Sequence, residues 1–250
     1  MSIESSADRK ALAKAGQIVA ETLDALEQGV RAGVTTAELD GIAAALFRRR
    51  GARSAPALVY GFPGTVLISV NDEIVHGVPG SRQLRDGDLV KLDVTVEKDG
   101  YVADAARSVV VGAADEKARR LIACAAAAFE AGFNVARPGT LVNEIGRAVE
   151  TEVRRWGFTV VRGLAGHGVG RTIHEEPSVP NEYDPRQRDV LTEGLVLTIE
   201  PMVSAGSSRA VQSANGWTIK TSDGSLASHH EHTLVITRGA AMILTGSHAA

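Results

Sequence analysis

The chain has one cysteine among its 250 residues, which excludes an internal disulfide. Cys124 sits in an alanine-rich run, 123–128, where a buried core position is expected, and a lone free thiol agrees with a reducing cytoplasm. Excess charge is equally scarce. A net charge of -3 gives no electrostatic case for nucleic acid or an anionic membrane surface. Nor does any apolar run reach the roughly 18 residues that a membrane span needs. The first ten residues are polar and precede an amphipathic helical pattern, so the short apolar stretch of a secretory signal is missing too. What is present suits a soluble globular domain: at 44% hydrophobic and 23% charged residues, the chain can build a sizeable core.

Part of the sequence occurs twice. Residues 31–51 read RAGVTTAELDGIAAALFRRRG and residues 137–157 read RPGTLVNEIGRAVETEVRRWG. At a constant offset of 106, Arg31, Gly33, Glu38, Arg48, Arg49 and Gly51 recur as Arg137, Gly139, Glu144, Arg154, Arg155 and Gly157. Each copy follows a helical pattern, about 8–30 and about 115–136, and precedes strand-like sequence, 54–111 and 158–236. Helices and then strands, twice over, predict an α+β domain of two related halves, about 1–112 and 113–250, with helices covering a mostly antiparallel sheet.

The segment 88–111 predicts the clearest local geometry. Val90, Leu92, Val94 and Val96 alternate with polar residues, and Asp99-Gly100 is a two-residue hairpin turn. That turn sets Lys98 opposite Tyr101, Thr95 opposite Asp104 and Asp93 opposite Ala106. Asp93 and Asp104 then share one sheet face as diagonal neighbours, about 7–8 Å apart at Cα. Glu200 closes the apolar run 195–199 and Glu231 opens the run 232–236, so antiparallel pairing would bring these two acids together. His167 and His174 lie in the glycine-rich stretch GHGVGRTIHEEP, 166–177. Four carboxylates gathered in one pocket would need cations to neutralise them, with about the charge of two divalent ions. His76 precedes a Gly-Val-Pro turn, whereas His229, His230 and His248 are expected in loops or the tail, without a task.

Taken together, NDEIVHGVP (71–79), KLDVTV (91–96), GHGVGRTIHEEP (166–177), LTIEPM (197–202) and NGWTIKTSDGSLASHHEHT (215–233) resemble the type I methionine aminopeptidases. The resemblance runs over essentially the whole chain and implies the pita-bread fold, with two pseudo-symmetric halves. It implies ligation of two divalent metal ions (Mn, Fe, Co or Zn) by Asp93, Asp104, His167, Glu200 and Glu231, with Glu200 also moving protons. It implies that His76 and His174 contact substrate and transition state. It further implies cytoplasmic removal of methionine from nascent polypeptide amino termini near the ribosome, by a monomer without a zinc-binding extension.

By the same resemblance, Val59, Phe62, Leu67, Ile173 and Trp217 line the side-chain pocket. Ile173 and Val59 stand where the family usually has aromatics, and Leu67 replaces a smaller residue, which leaves room for altered first-residue selectivity. Prolidase-like activity is a competing expectation, set against the catalytic pattern starting within about 10 residues of the first. A non-catalytic binding module and a metal-free hydrolase of the same fold are the others, and both sit poorly with five intact ligand positions.

Overall fold

Capping chemistry marks where the helices begin. The computed structural model describes residues 1–113 and 115–246, so His248 lies outside the described residues. Helix α1 (Ser6–Gly29) opens on a capping box between Ser5 and Asp8, and α2 (Thr36–Arg50) on one between Thr35 and Glu38. A short helix, α3 (Ala55–Tyr60), follows. It departs from the strand expected there, because Ser54 caps it, a proline occupies its first turn and Gly61 ends it in the left-handed region at φ 70°. Helices α4 (Glu116–Val135) and α5 (Val142–Arg155) complete the set. No helix among the described residues is long and apolar enough to cross a membrane.

The duplication is visible at the level of single hydrogen bonds. Gly33 N–H donates to Leu84 O at 2.8 Å, and Gly139 N–H donates to Leu191 O at 2.8 Å. Thr36 N–H donates to Arg82 O as Val142 N–H does to Asp189 O. Gly33 and Gly139 have φ of 86° and 87°, a conformation that favours glycine and explains why both copies carry it.

Among the described residues, nine strands form one sheet, which runs Arg53–Ser54, Leu89–Lys98, Tyr101–Val110, Glu231–Val235, Val196–Ile199, Ala165–Gly168, Glu175–Pro180. Leu67–Val70 also pairs with Leu89–Lys98, and Met242–Ile243 with Glu231–Val235. All these pairings are antiparallel. Each half has its own core. Leu23, Leu26, Leu39 and Phe47 of α1 and α2 pack against Val90, Leu92, Val94 and Val96. Phe129, Ile145 and Val149 of α4 and α5 pack against Leu197, Ile199 and Leu234. Strand alternation therefore turns Lys91, Asp93 and Thr95 to the opposite face, away from the helices.

That polar face is buried as well. Lys91 is 1% exposed, and burial drives its ammonium pKa down to about 7. Its Nζ donates to Asn71 O at 2.8 Å. Asn71 O also accepts from Ala227 N–H, so it keeps a partner without the lysine. Replacing a buried charge by an apolar chain of similar length relieves desolvation. Lys91→Met is expected to raise the melting temperature in scanning calorimetry at pH 7 by several degrees, whereas a fall would show that the ammonium is a net stabiliser.

Candidate metal centre

The hairpin has the register that its turn dictates. Asp99 and Gly100 sit at φ 52° and 83°, and Lys98, Thr95 and Asp93 pair with Tyr101, Asp104 and Ala106. Glu231 pairs with Ala106 on the other side, and His232 pairs with Ile199, the residue before Glu200. Three neighbouring antiparallel pairs thus deliver Asp93, Asp104, Glu231 and Glu200 to one place. His167 joins them from Ala165–Gly168, where Gly168 pairs with Leu197. Glycine is required at 168, since a Cβ there would lie 2.2 Å from Glu176 O.

All five line one cavity of about 420 Å³ and are less than a tenth exposed. Donor atoms of Asp104, His167 and Glu231 lie within 4.8 Å of one another, and so do those of Asp93, His229 and Glu231. The electrostatics are unfavourable for bare anions. Burial raises the Asp104 and Glu200 pKa values to about 7, with the Glu200 charge adding to the effect at Asp104. Burial, then Asp104 and Glu200, hold the Asp93 carboxyl well above its ordinary range. Glu231 is raised by burial, then by Asp104, Glu200 and Asp93. Among the described residues, Asp104 Oδ1 and Glu231 Oε1 have no hydrogen-bond partner. Crowded carboxylates with orphaned oxygens fit divalent cations, which would satisfy the lone pairs and cancel the repulsion.

The imidazoles are prepared for distinct tasks. His167 Nδ1 donates to Gly168 O at 2.9 Å, which leaves Nε2 unprotonated and facing Glu200 Oε1 at 3.5 Å. That is the tautomer a metal ligand needs. His174 stacks edge-on against His167 at 4.3 Å, and its Nδ1 contacts the Tyr60 hydroxyl at 2.5 Å. Burial lowers the pKa of His174, which favours the neutral ring. His76 lines the same cavity from a backbone at φ 59°, a costly conformation for a non-glycine residue and one that concentrates at functional sites. Burial, then His229, lower its pKa.

The apolar wall contains Phe62, Leu67, Ile173 and Trp217, with the Phe62 and Trp217 rings edge-to-face at 5.3 Å. Val59 is not among the lining residues and is 53% exposed. The reason is helical. Pro56 and Tyr60, four apart on α3, share the cavity face, while Val59 is rotated about 100° from Tyr60. Tyr60 escaped sequence reasoning; its position just before the Gly61 helix stop was the available signal. His229 departs from expectation, since it is buried and ends the strand Ala227–His229. His230 lies outside the strands, as expected, half-buried with its ring 5.3 Å from Phe129. The Ala227–His229 strand reads as a loop because two of its buried residues, Ser228 and His229, are polar. His232 Nδ1 meets Thr245 Oγ1 at 2.9 Å.

Comparison with known proteins agrees with this geometry. The model of metallopeptidase family M24 matches residues 10–238. Methionine aminopeptidase 2 of Bacillus subtilis is 40% identical over 247 residues, 98% of this chain and 99% of that one. Methionine aminopeptidase of Clostridium perfringens is 43% identical over 232 residues, 93% of each chain. Among solved structures, methionine aminopeptidase from Rickettsia prowazekii superposes with a TM-score of 0.94 at 35% identity, covering 98% of this chain and 100% of its own.

Proposed function

The chain belongs to metallopeptidase family M24, and from that premise we propose that Asp93, Asp104, His167, Glu200 and Glu231 hold two divalent cations. The protein is a metal-dependent aminopeptidase that removes amino-terminal methionine. The observation that carries the site assignment is the convergence of four buried carboxylates and one correctly protonated imidazole on a single cavity. Mn, Fe, Co and Zn all suit this oxygen-rich set with one nitrogen. The substrates we assign are nascent chains with a small second residue, met near the ribosome in the cytoplasm by a monomeric, single-domain enzyme whose halves meet near residue 112.

Bound cations supply charge neutralisation, polarise the scissile carbonyl and lower the pKa of water to about 7. The chain's own groups do the rest. Phe62, Leu67, Ile173 and Trp217 bury the first side chain of the substrate against apolar surface. A carboxylate oxygen of Glu200 takes the proton from the attacking water and returns it to the leaving amine. Thr198 Oγ1, donating to Glu200 Oε1 at 3.1 Å, holds that carboxylate in place. His76 contacts the bound peptide from the cavity wall. His174 donates Nε2–H to the developing oxyanion, because the Tyr60 hydroxyl occupies its Nδ1.

The decisive experiment is methionine release from Met-Ala-Ser and Met-Gly-Met-Met after metal is restored to stripped protein. Metal-dependent release is expected. Release from X-Pro peptides with none from these two would replace the methionine reading with a prolidase-like one. Tyr60→Phe is expected to lower kcat about 5–30-fold, the loss of one orienting hydrogen bond, with KM within twofold. A change confined to KM would instead make Tyr60 a substrate contact.

A further inference from the structure

Among the described residues, His229 is the one buried histidine near the cavity to which the mechanism above gives no task. Its side chain is 1% exposed, and among the described residues neither ring nitrogen has a hydrogen-bond partner. A buried polar group left in that state is costly, so the position calls for an explanation. Nε2 lies 3.6 Å from Glu200 Oε2 and 3.8 Å from Glu231 Oε2. Donor atoms of Asp93, His229 and Glu231 fall within 4.8 Å of one another.

We infer that His229 is a positioning residue, which donates Nε2–H to Glu200 and Glu231 from outside the cavity wall and so aims both carboxylates at the cations. This rests on the metal-site assignment above. One observation and two chemical arguments favour a donor role over direct ligation. All five assigned ligands line the cavity, but His229 does not. An ionised carboxylate is acceptor-only, so an N–H is the group its outer lone pairs can use. A neutral imidazole also orients these carboxylates without bringing a charge that competes with the cations.

The backbone is built to hold the ring there. Ser108 Oγ accepts from His229 N–H at 2.9 Å and donates to His229 O at 2.8 Å, clamping both peptide groups of the residue. Met202, two residues beyond Glu200, pairs with His229 across the small sheet. One ring is thereby tied by backbone to Tyr101–Val110, the strand that carries Asp104, and to Met202–Ser204, the strand that follows Glu200. A shift of about 0.7 Å as the carboxylates turn toward cations would bring either contact into hydrogen-bond range.

The test compares His229→Phe, which keeps ring volume and drops the donor, with His229→Gln, which keeps a donor N–H. Mn(II) binding to the metal-stripped full chain is measured by calorimetry beside kcat, KM and melting temperature. His229→Phe should fold and bind at least one Mn(II) about 10–100-fold more weakly, as losses of such supporting bonds do, with kcat reduced and KM within twofold. His229→Gln should recover Mn(II) affinity to within about threefold of the parent chain. Unchanged affinity in His229→Phe, or equal weakness in both variants, would overturn the proposal. In ¹⁵N-histidine spectra of the zinc-loaded chain, Nε2 of His229 should keep its proton; a metal-bound Nε2 would make the residue a ligand and overturn it too. A parent chain that binds no Mn(II) would sink the metal-site assignment itself, a separate result.

Discussion

Asp104→Asn is expected to abolish peptide hydrolysis, by at least about 10³-fold in kcat/KM, and yet to stabilise the metal-free protein. The loss follows from removing an anionic ligand at the centre of the site, an effect on transition-state charge of the size seen for dedicated electrostatic groups. The gain in stability follows from the environment. Burial and the neighbouring Glu200 raise the Asp104 pKa to about 7, so ionising it in the folded protein costs free energy that a neutral amide does not. Its Oδ1 has no partner among the described residues, and little bonding is lost there. Thr233 Oγ1 binds Asp104 through its backbone, donating to O at 2.8 Å and accepting from N–H at 2.9 Å, contacts the substitution leaves intact. Calorimetry of EDTA-treated chains at pH 8 should show the variant melting several degrees above the parent. A variant that melts lower would mean that the carboxylate cluster is not a source of strain. A variant that keeps hydrolysis would remove Asp104 from the site. Function and stability are opposed here because the same crowding that invites cations is unfavourable without them.

Divalent cations are expected to stabilise the protein far more at pH 8 than at pH 6. Asp104 and Glu200 have folded-state pKa values raised to about 7, and those of Asp93 and Glu231 are raised well above their ordinary range. An acid whose folded pKa is raised binds more protons folded than unfolded, so its contribution falls as pH rises through the folded pKa. In the metal-free protein these four groups therefore cost most stability above pH 7. Cations replace the protons, and their effect grows as the protons leave. Lys91 and the histidines that hold no cation contribute with and without cations. Burial favours the neutral His167 ring in both cases, so the difference between the two melting curves reports on the carboxyls. Adding Mn(II) at one fixed concentration, about 100 times its Kd at pH 8, should raise the melting temperature by about 5–10 °C at pH 8 and by only a few degrees at pH 6. Equal shifts at both pH values would show that cation binding releases no protons and that the carboxylates are ionised beforehand.

Local rules carried much of the design. Paired glycines and a repeated helix pattern were readable because each acts within a few residues, and they predicted two halves. Asp99-Gly100 determined the hairpin register, and the register determined that Asp93 and Asp104 share a face, because side chains alternate strictly along a strand. The family motifs nominated the remaining ligand-type residues.

Other features depended on pairings between distant strands and on rotations within a helix. The serine hydroxyl that clamps His229 is 121 residues away in sequence, and no local pattern marks it. A strand whose buried residues are polar, as Ser228 and His229 are, looks like a loop, since periodicity detects burial only where the buried residues are apolar. Along α3, a rotation of about 100° per residue put Tyr60 rather than Val59 against His174. The sequence by itself determined which residues could bind cations and which strand face two of them occupy, because turn chemistry and alternation are local. Only the tertiary structure decided what stands behind those residues, because the bonds that aim a side chain come from whichever distant strand the fold sets beside it.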